Sequence, residues 1–123
     1  MEFFATAQTG LDEKTIQERV TVARMGEYCD TIVVLDGDDE VGHIGTVWGE
    51  FPVQRQIIRG GVRFSLTTCP NALAWTITSG FPPAPDDVVV HGTINRTEHD
   101  EDFIESIVEF LETWRLGLEK AQS

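Results

Sequence analysis

The chain has 123 residues, with 21 Asp and Glu against nine Lys and Arg, which gives a formal net charge of −12. This length predicts a single domain over 1–123 that buries a hydrophobic core, and no apolar run approaches the roughly 18 residues of a membrane span. The negative balance argues against direct binding to nucleic acid or to an anionic membrane. The N-terminus also lacks the basic segment that begins a secretory signal.

The N-terminal region contains one short arm and one ambiguous element. Residues 1–10 are expected to form an arm that precedes the first regular element. Residues 11–25 carry an approximate helical stripe, with Thr9 as a candidate N-cap and Asp12 at the third helical position. A strand that ends at 20–22 is the competing interpretation, because the same apolar residues also alternate. We favour the helix.

A run of antiparallel strands is predicted in the middle of the chain. The apolar run 31–35 is typical of a buried strand, and 36–40 is an acidic turn. Residues 41–51 read as one strand whose glycines indicate a bulge or strong curvature. Alternation then predicts a hairpin that turns at Gly60-Gly61, since both central residues of a tight primed turn need positive φ.

Three arginines in and beside this hairpin are the only charged residues between Phe51 and Pro85. With a two-glycine loop, Arg59 pairs with Val62 and Arg55 pairs with Leu66 across the hairpin. Arg55 and Arg59 then share a face with the apolar side chains, and Arg63 lies on the opposite face. Either these arginines pair with the many acids of the chain, or they form a patch that binds an anion or a partner's carboxylate.

Two more strands and a helix complete the prediction. Alternation places a strand at 73–77, with a short helix at 70–75 as the alternative, and a last strand at 88–94. A C-terminal helix begins after Thr97 as N-cap, and its apolar stripe is expected to pack on the sheet. The stripe consists of Phe103, Ile107, Phe110, Leu111, Trp114 and Leu118. The predicted fold is therefore α+β, a curved antiparallel sheet of about five strands packed against a C-terminal and an N-terminal helix.

No residue pattern reaches the specificity of a catalytic, cofactor or metal motif. The three histidines do not fall at metal-ligand spacing, and the acidic turn lacks the glycine and the bidentate acid of a calcium loop. Cys69 with His91 as base is the one candidate dyad, and it requires the two side chains to be adjacent. Trp48 and Trp75 are candidate ligand platforms, although tryptophans more often pack in a core. Cys29 and Cys69 fit a reducing cytoplasm better than a disulfide framework.

The leading functional hypothesis is a non-enzymatic, cytoplasmic protein-binding module, adaptor-like or chaperone-like by analogy of fold class. It is predicted to form a homodimer, to engage another protein and to need no cofactor. The candidate binding residues are Arg55, Arg59, Arg63, Trp48, Trp75 and His91. Two alternatives stay open. One is a small enzyme or ligand-binding protein with a site in the sheet concavity near Cys69 and His91, and the other is a polyanion mimic that blocks a nucleic-acid-binding protein.

Overall fold

The computed structural model describes residues 1–95 and 100–122. The strands are β1 (Glu2–Ala7), β2 (Val33–Gly37), β3 (Val41–Thr46), β4 (Gly49–Ile58), β5 (Gly61–Leu66), β6 (Ala74–Ser79) and β7 (Val88–Thr93). The helices are α1 (Glu13–Arg19), α2 (Met25–Tyr28) and α3 (Glu101–Gln122). All neighbouring strands are antiparallel in one sheet of order β1-β7-β6-β5-β4-β3-β2. The α+β prediction is confirmed, with seven strands instead of five. No described helix has the length and apolar character needed to cross a membrane.

The sheet has two different faces because successive side chains of a strand point to opposite sides. On one face, Phe64 of β5 lies opposite Trp75 of β6, which lies opposite Gly92 of β7, and all three residues are buried. This face packs against the helices, and we call it the core face. The other face includes Arg63 of β5 and His91 of β7, and we call it the outer face.

The core lies between the core face and the three helices. Its centre is a cluster of fully buried rings, in which the centroids of Phe64, Trp75 and Trp114 are 5.5 to 6.1 Å apart. Such offset and tilted ring pairs add favourable energy beyond the area that they bury. The predicted apolar stripe of α3 is confirmed. Its fully or nearly fully buried members are Ile107, Phe110, Leu111, Trp114 and Leu118.

The central hairpin turns one residue earlier than predicted. Its two-residue loop is Arg59-Gly60, and Gly60 has the positive φ of +91° that favours glycine. Gly61 lies in β5 instead, where a Cβ would approach the carbonyl oxygen of Ile77 to 1.9 Å. Both glycines are therefore required, one for its backbone angle and the other for the close approach of β6. The predicted cross-strand partners of the flanking arginines are wrong for this reason.

The N-terminal prediction is partly wrong. Residues 2–7 are not an arm, because they form the edge strand β1 and pair with β7. The helix that we favoured for 11–25 is present as the shorter α1, followed by α2. Its N-cap is Asp12 and not Thr9, since the Asp12 carboxylate accepts a hydrogen bond from the Thr15 amide at 2.9 Å.

Three predictions in the middle of the chain also need correction. The run 31–35 is not a buried strand, because β2 lies at the sheet edge and the side chain of Val33 is 60% exposed. Residues 41–51 are not one strand, because they contain all of β3 and the start of β4, with a turn at 47–48. The alternative helix at 70–75 is absent, since this segment is a turn that leads into β6.

The beginning of α3 involves residues that the sequence did not single out as the cap. The helix starts at Glu101, and the Asp100 carboxylate accepts a hydrogen bond from the Phe103 amide at 2.9 Å. This is the bond that an N-cap side chain makes to the third helical residue. The predicted N-cap, Thr97, lies outside the described residues.

Candidate functional site

Arg55 lies on the core face of β4, with only 6% of its surface exposed. Its Nε donates to the carbonyl of Val20 at 2.8 Å, its Nη1 donates to the carboxylate of Glu40 at 2.6 Å, and its Nη2 donates to the carbonyl of Gln17. This side chain thus joins α1 and the β2–β3 turn to the sheet. Because the guanidinium is buried and each of its three nitrogens donates a hydrogen bond, Arg55 does not belong to a surface that a partner can reach.

The two candidate tryptophans lie on the helix side of the sheet. Trp75 is fully buried, and its ring packs on Trp114 and edge-on against Phe110. Trp48 is half-buried, and its Nε1 donates to the hydroxyl of Ser106 at 2.8 Å. Trp75 is therefore a core residue, whereas Trp48 keeps part of its ring at the surface.

Arg63 and His91 lie in one row of side chains that crosses five strands on the outer face. The row runs from Gln56 through Arg63, Thr76 and His91 to Phe4, and each residue lies directly opposite the next. Neighbouring strands are about 4.8 Å apart, so Arg63 and His91 are separated by about 10 Å. Arg63 donates to the Gln56 side chain at 3.3 Å, which occupies only one arm of its guanidinium.

His91 is held in a fixed orientation by its two neighbours in β1. The imidazole stacks flat on the Phe4 ring, with centroids 4.3 Å apart and 2° between the planes. Its Nε2 lies 3.1 Å from a carboxylate oxygen of Glu2. The Phe4 side chain is itself 53% exposed, so the stacked pair presents apolar surface to solvent beside a polar ring.

A concavity of about 340 Å³ lies beside this row, and we call it the outer-face cup. Phe4 and Phe81 supply two phenyl rings, Arg59 supplies a cation from the β4–β5 turn, and Thr76 and His91 supply polar groups. The β6–β7 loop brings the Phe81 ring against the β4–β5 turn, where it would meet a Cβ on Gly60. The cup therefore combines apolar walls with charged and hydrogen-bonding side chains, as ligand sites do.

Arg59 and Arg63 contact no carboxylate within residues 1–95 and 100–122, although the chain is rich in acids. By contrast, Arg55 is paired with Glu40, and Arg115 is paired with Glu112 and Glu119. The intramolecular pairing that the sequence offered as an explanation thus applies to Arg55 alone of the three hairpin arginines. The other two keep donors available to a ligand carboxylate.

The structure separates Cys69 from His91. Cys69 lies in the β5–β6 loop on the helix side, in a concavity with Trp48 and Phe103, whereas His91 lies on the outer face. A nucleophile and its base must be within hydrogen-bond reach, and this arrangement places the sheet between them. The second cysteine, Cys29, is fully buried, and burial raises the pKa of its thiol above the ordinary value.

Asp36 at the end of β2 and Asp38 in the β2–β3 turn make local contacts. Asp38 accepts hydrogen bonds from the amides of Val41 and Glu40 at 2.9 and 2.8 Å, and these bonds lower the pKa of its carboxyl. Asp36 contacts the His43 ring at 2.8 Å. Within the described part of the chain, no group of three His, Cys, Asp or Glu side chains is arranged to hold a metal.

Sequence reasoning identified Arg59 and His91 but missed the aromatic half of the cup. Phe4 shares its face of β1 with the polar residues Glu2 and Thr6, so its ring could be assigned to the outer face only once β1 was known to be a strand. Phe81 lies in a proline-rich loop, where no local pattern indicates which surface the ring will cover. Comparisons with models of known protein families and with curated proteins return no match.

Proposed function

We propose that this protein is a non-enzymatic binding module that holds an acidic segment of another protein on the outer face of its sheet. The observation that carries this proposal is the pair Arg59 and Arg63, which have no carboxylate partner among the described residues. Guanidinium groups bind carboxylates through charge-assisted hydrogen bonds, often two at a time. A partner's Asp or Glu side chains therefore complement this part of the sheet.

The rings of the outer-face cup define a second requirement for the partner. Phe4 and Phe81 offer apolar walls that an aliphatic or aromatic side chain fills, and buried anchors of that kind dominate binding energy at protein interfaces. The net charge of −12 disfavours an acidic partner at long range. Recognition therefore depends on short-range contact, with an apolar anchor placed next to one or two carboxylates.

The predicted homodimer and cytoplasmic location remain proposals. The outer face and α3 lie on opposite sides of the sheet, so contact between the arginines of one copy and the acids of α3 in another is head-to-tail. Such a contact extends into a filament unless its rotation closes a ring, and it does not make a two-fold dimer. We therefore assign the acidic segment to a different protein.

Peptide display against the immobilised protein tests this function, because it selects ligands from a library of random sequences. We expect the selected peptides to contain Asp or Glu next to an aliphatic or aromatic residue. Arg59→Glu and Arg63→Glu should each raise the dissociation constant of a selected peptide about tenfold or more, because each change replaces an attraction by a repulsion. Isothermal titration calorimetry measures these constants.

Arg19→Glu is the matched control for both variants. Arg19 is an exposed residue of α1 that makes no contact with a carboxylate within the described chain, and its replacement changes the net charge equally. Peptide affinity should stay within about twofold of wild type, as is usual for a remote surface substitution. Selection without acidic enrichment, or the same loss of affinity in all three variants, contradicts the proposal.

A further inference from the structure

A second concavity lies at one end of the packing between the sheet and α3, and we call it the end pocket. It has a volume of about 310 Å³. Its lining comes from the β3–β4 turn and the start of β4, from the β5–β6 loop and from the first turn of α3. Trp48, Phe51, Cys69, Leu73 and Phe103 form most of the surface. This lining is mainly apolar and is separate from the outer-face cup.

The aromatic walls of the end pocket are fixed before any ligand arrives. Trp48 donates its Nε1 proton to Ser106, and the Ser106 hydroxyl donates in turn to the carbonyl of Phe103 at 2.6 Å. The Trp48 ring also packs against Phe110, at a centroid distance of 5.0 Å, and against Phe103 at 6.1 Å. A ring that is already immobilised loses little entropy when a ligand packs on it, which favours binding.

The β5–β6 loop that forms the opposite wall is also held by hydrogen bonds. The Ala72 amide donates to the Cys69 carbonyl at 2.9 Å, and the Asn95 amide donates to the Asn71 carbonyl at 3.0 Å. Leu73, which is 1% exposed, closes the floor. The half-buried amide of Asn71 offers one polar group at the rim, with both donor and acceptor atoms.

We propose that the end pocket binds an uncharged aromatic molecule with two fused rings. An apolar cavity of about 150 Å³ holds benzene, so twice that volume suits two rings, and three aromatic walls favour a flat ligand. Among the residues that the structure describes, no lysine or arginine lines the pocket. The exposed carboxylates of Glu50 and Asp102 are adjacent in sequence to its lining, which disfavours an anion.

Two probes that share a ring system test the class of ligand. 2-Naphthol is neutral at pH 7, and naphthalene-2-sulfonate carries the same rings with a negative charge. We expect 2-naphthol to bind saturably in an NMR titration and the sulfonate to bind at least about tenfold more weakly. Absence of saturable 2-naphthol binding, or equal affinity for the two probes, overturns the proposal.

Alkylation of Cys69 by iodoacetamide locates the bound probe in the unmodified protein. Saturating 2-naphthol should slow carbamidomethylation of Cys69 several-fold, because the ligand covers the half-buried thiol. Cys29, which has no exposed surface, should stay unmodified in the same sample and so report that the fold is intact. An unchanged rate at Cys69 under saturating 2-naphthol places the probe elsewhere and overturns the proposal.

A pair of variants at one position gives a second test of location. Cys69→Phe places a ring in the pocket and should weaken 2-naphthol binding about tenfold, whereas Cys69→Ser nearly preserves the volume and should stay within about twofold. Circular dichroism tests whether each variant is folded. If Cys69→Phe does not fold, the rate of Cys69 alkylation in the unmodified protein decides whether 2-naphthol binds in the end pocket. Equal affinity in wild type and in folded Cys69→Phe overturns the proposal.

Discussion

Arg55 shows how a single side chain can connect three parts of this fold. Its guanidinium donates to the carbonyls of Gln17 and Val20 at the C-terminal end of α1, where a cation is favoured by the helix dipole. It also meets the carboxylate of Glu40, which is half-exposed to solvent. A buried arginine is tolerated only when its donors are paired in this way.

Arg55→Met tests whether the hydrogen bonds of this one side chain stabilise the fold. Methionine retains an apolar stem of similar reach but removes every donor, so the two helix carbonyls lose their partner. We expect the free energy of unfolding in urea to fall by about 2–4 kcal/mol. Arg63→Met on the outer face is the control, and it should change stability by no more than about 0.5 kcal/mol. Equal effects of the two substitutions contradict the structural assignment of Arg55.

At the scale of elements, the hairpin and the C-terminal helix could be predicted because their signals are local. Alternation identified the strands on both sides of Gly60-Gly61, and helical spacing identified the buried side of α3. The position of the turn could not be predicted, since both glycines fit a turn by sequence. Only the approach of β6 to Gly61 decides between them, and that contact is tertiary. A shift of one residue in the loop changed the partners of Arg55.

Substitution of Trp114 tests how α3 packs on the sheet. Its ring is fully buried beside Phe64 and Trp75, so Trp114→Ala removes a large side chain from the centre of the core. We expect a loss of about 3–5 kcal/mol in the free energy of unfolding.

Leu116→Ala, in the same helix, is the matched control because the Leu116 side chain is 49% exposed. It should change stability by no more than about 0.5 kcal/mol. A urea transition of Trp114→Ala that overlays that of wild type contradicts the packing of this helix.

At the scale of the whole molecule, the outer-face cup is assembled from segments that are distant in sequence. Phe4 comes from the first strand, Arg59 from a turn, Phe81 from a loop and His91 from the last strand. The pairing of β1 with β7 brings the first and last of these together. Arg59 and His91 were candidates because of their residue types alone. No local sequence pattern indicates that either residue lies near Phe4 or Phe81.

The net charge of −12 makes a prediction about the entire fold. Repulsion among the acids destabilises the compact state, and salt screens it as the Debye length falls from about 30 Å at 0.01 M to about 8 Å at 0.15 M. The free energy of unfolding in urea should therefore rise over that range of sodium chloride concentration.

A variant with less charge provides the control for this effect. Glu105 and Glu109 are exposed on α3, so the double substitution Glu105→Gln and Glu109→Gln removes two negative charges at the surface. Its stability should depend less on salt than that of wild type. A wild-type protein that loses stability as salt is added over the same range contradicts the repulsion argument.

The binding of an acidic segment to the outer face is tested most directly by backbone amide chemical shifts during titration with a selected acidic peptide. We expect the shifted residues to cluster on the outer face, at Phe4, Arg63, Thr76 and His91, while the exposed side of α3 at Val108 is unchanged. Shifts centred on α3, with the outer face unchanged at saturation, would contradict it.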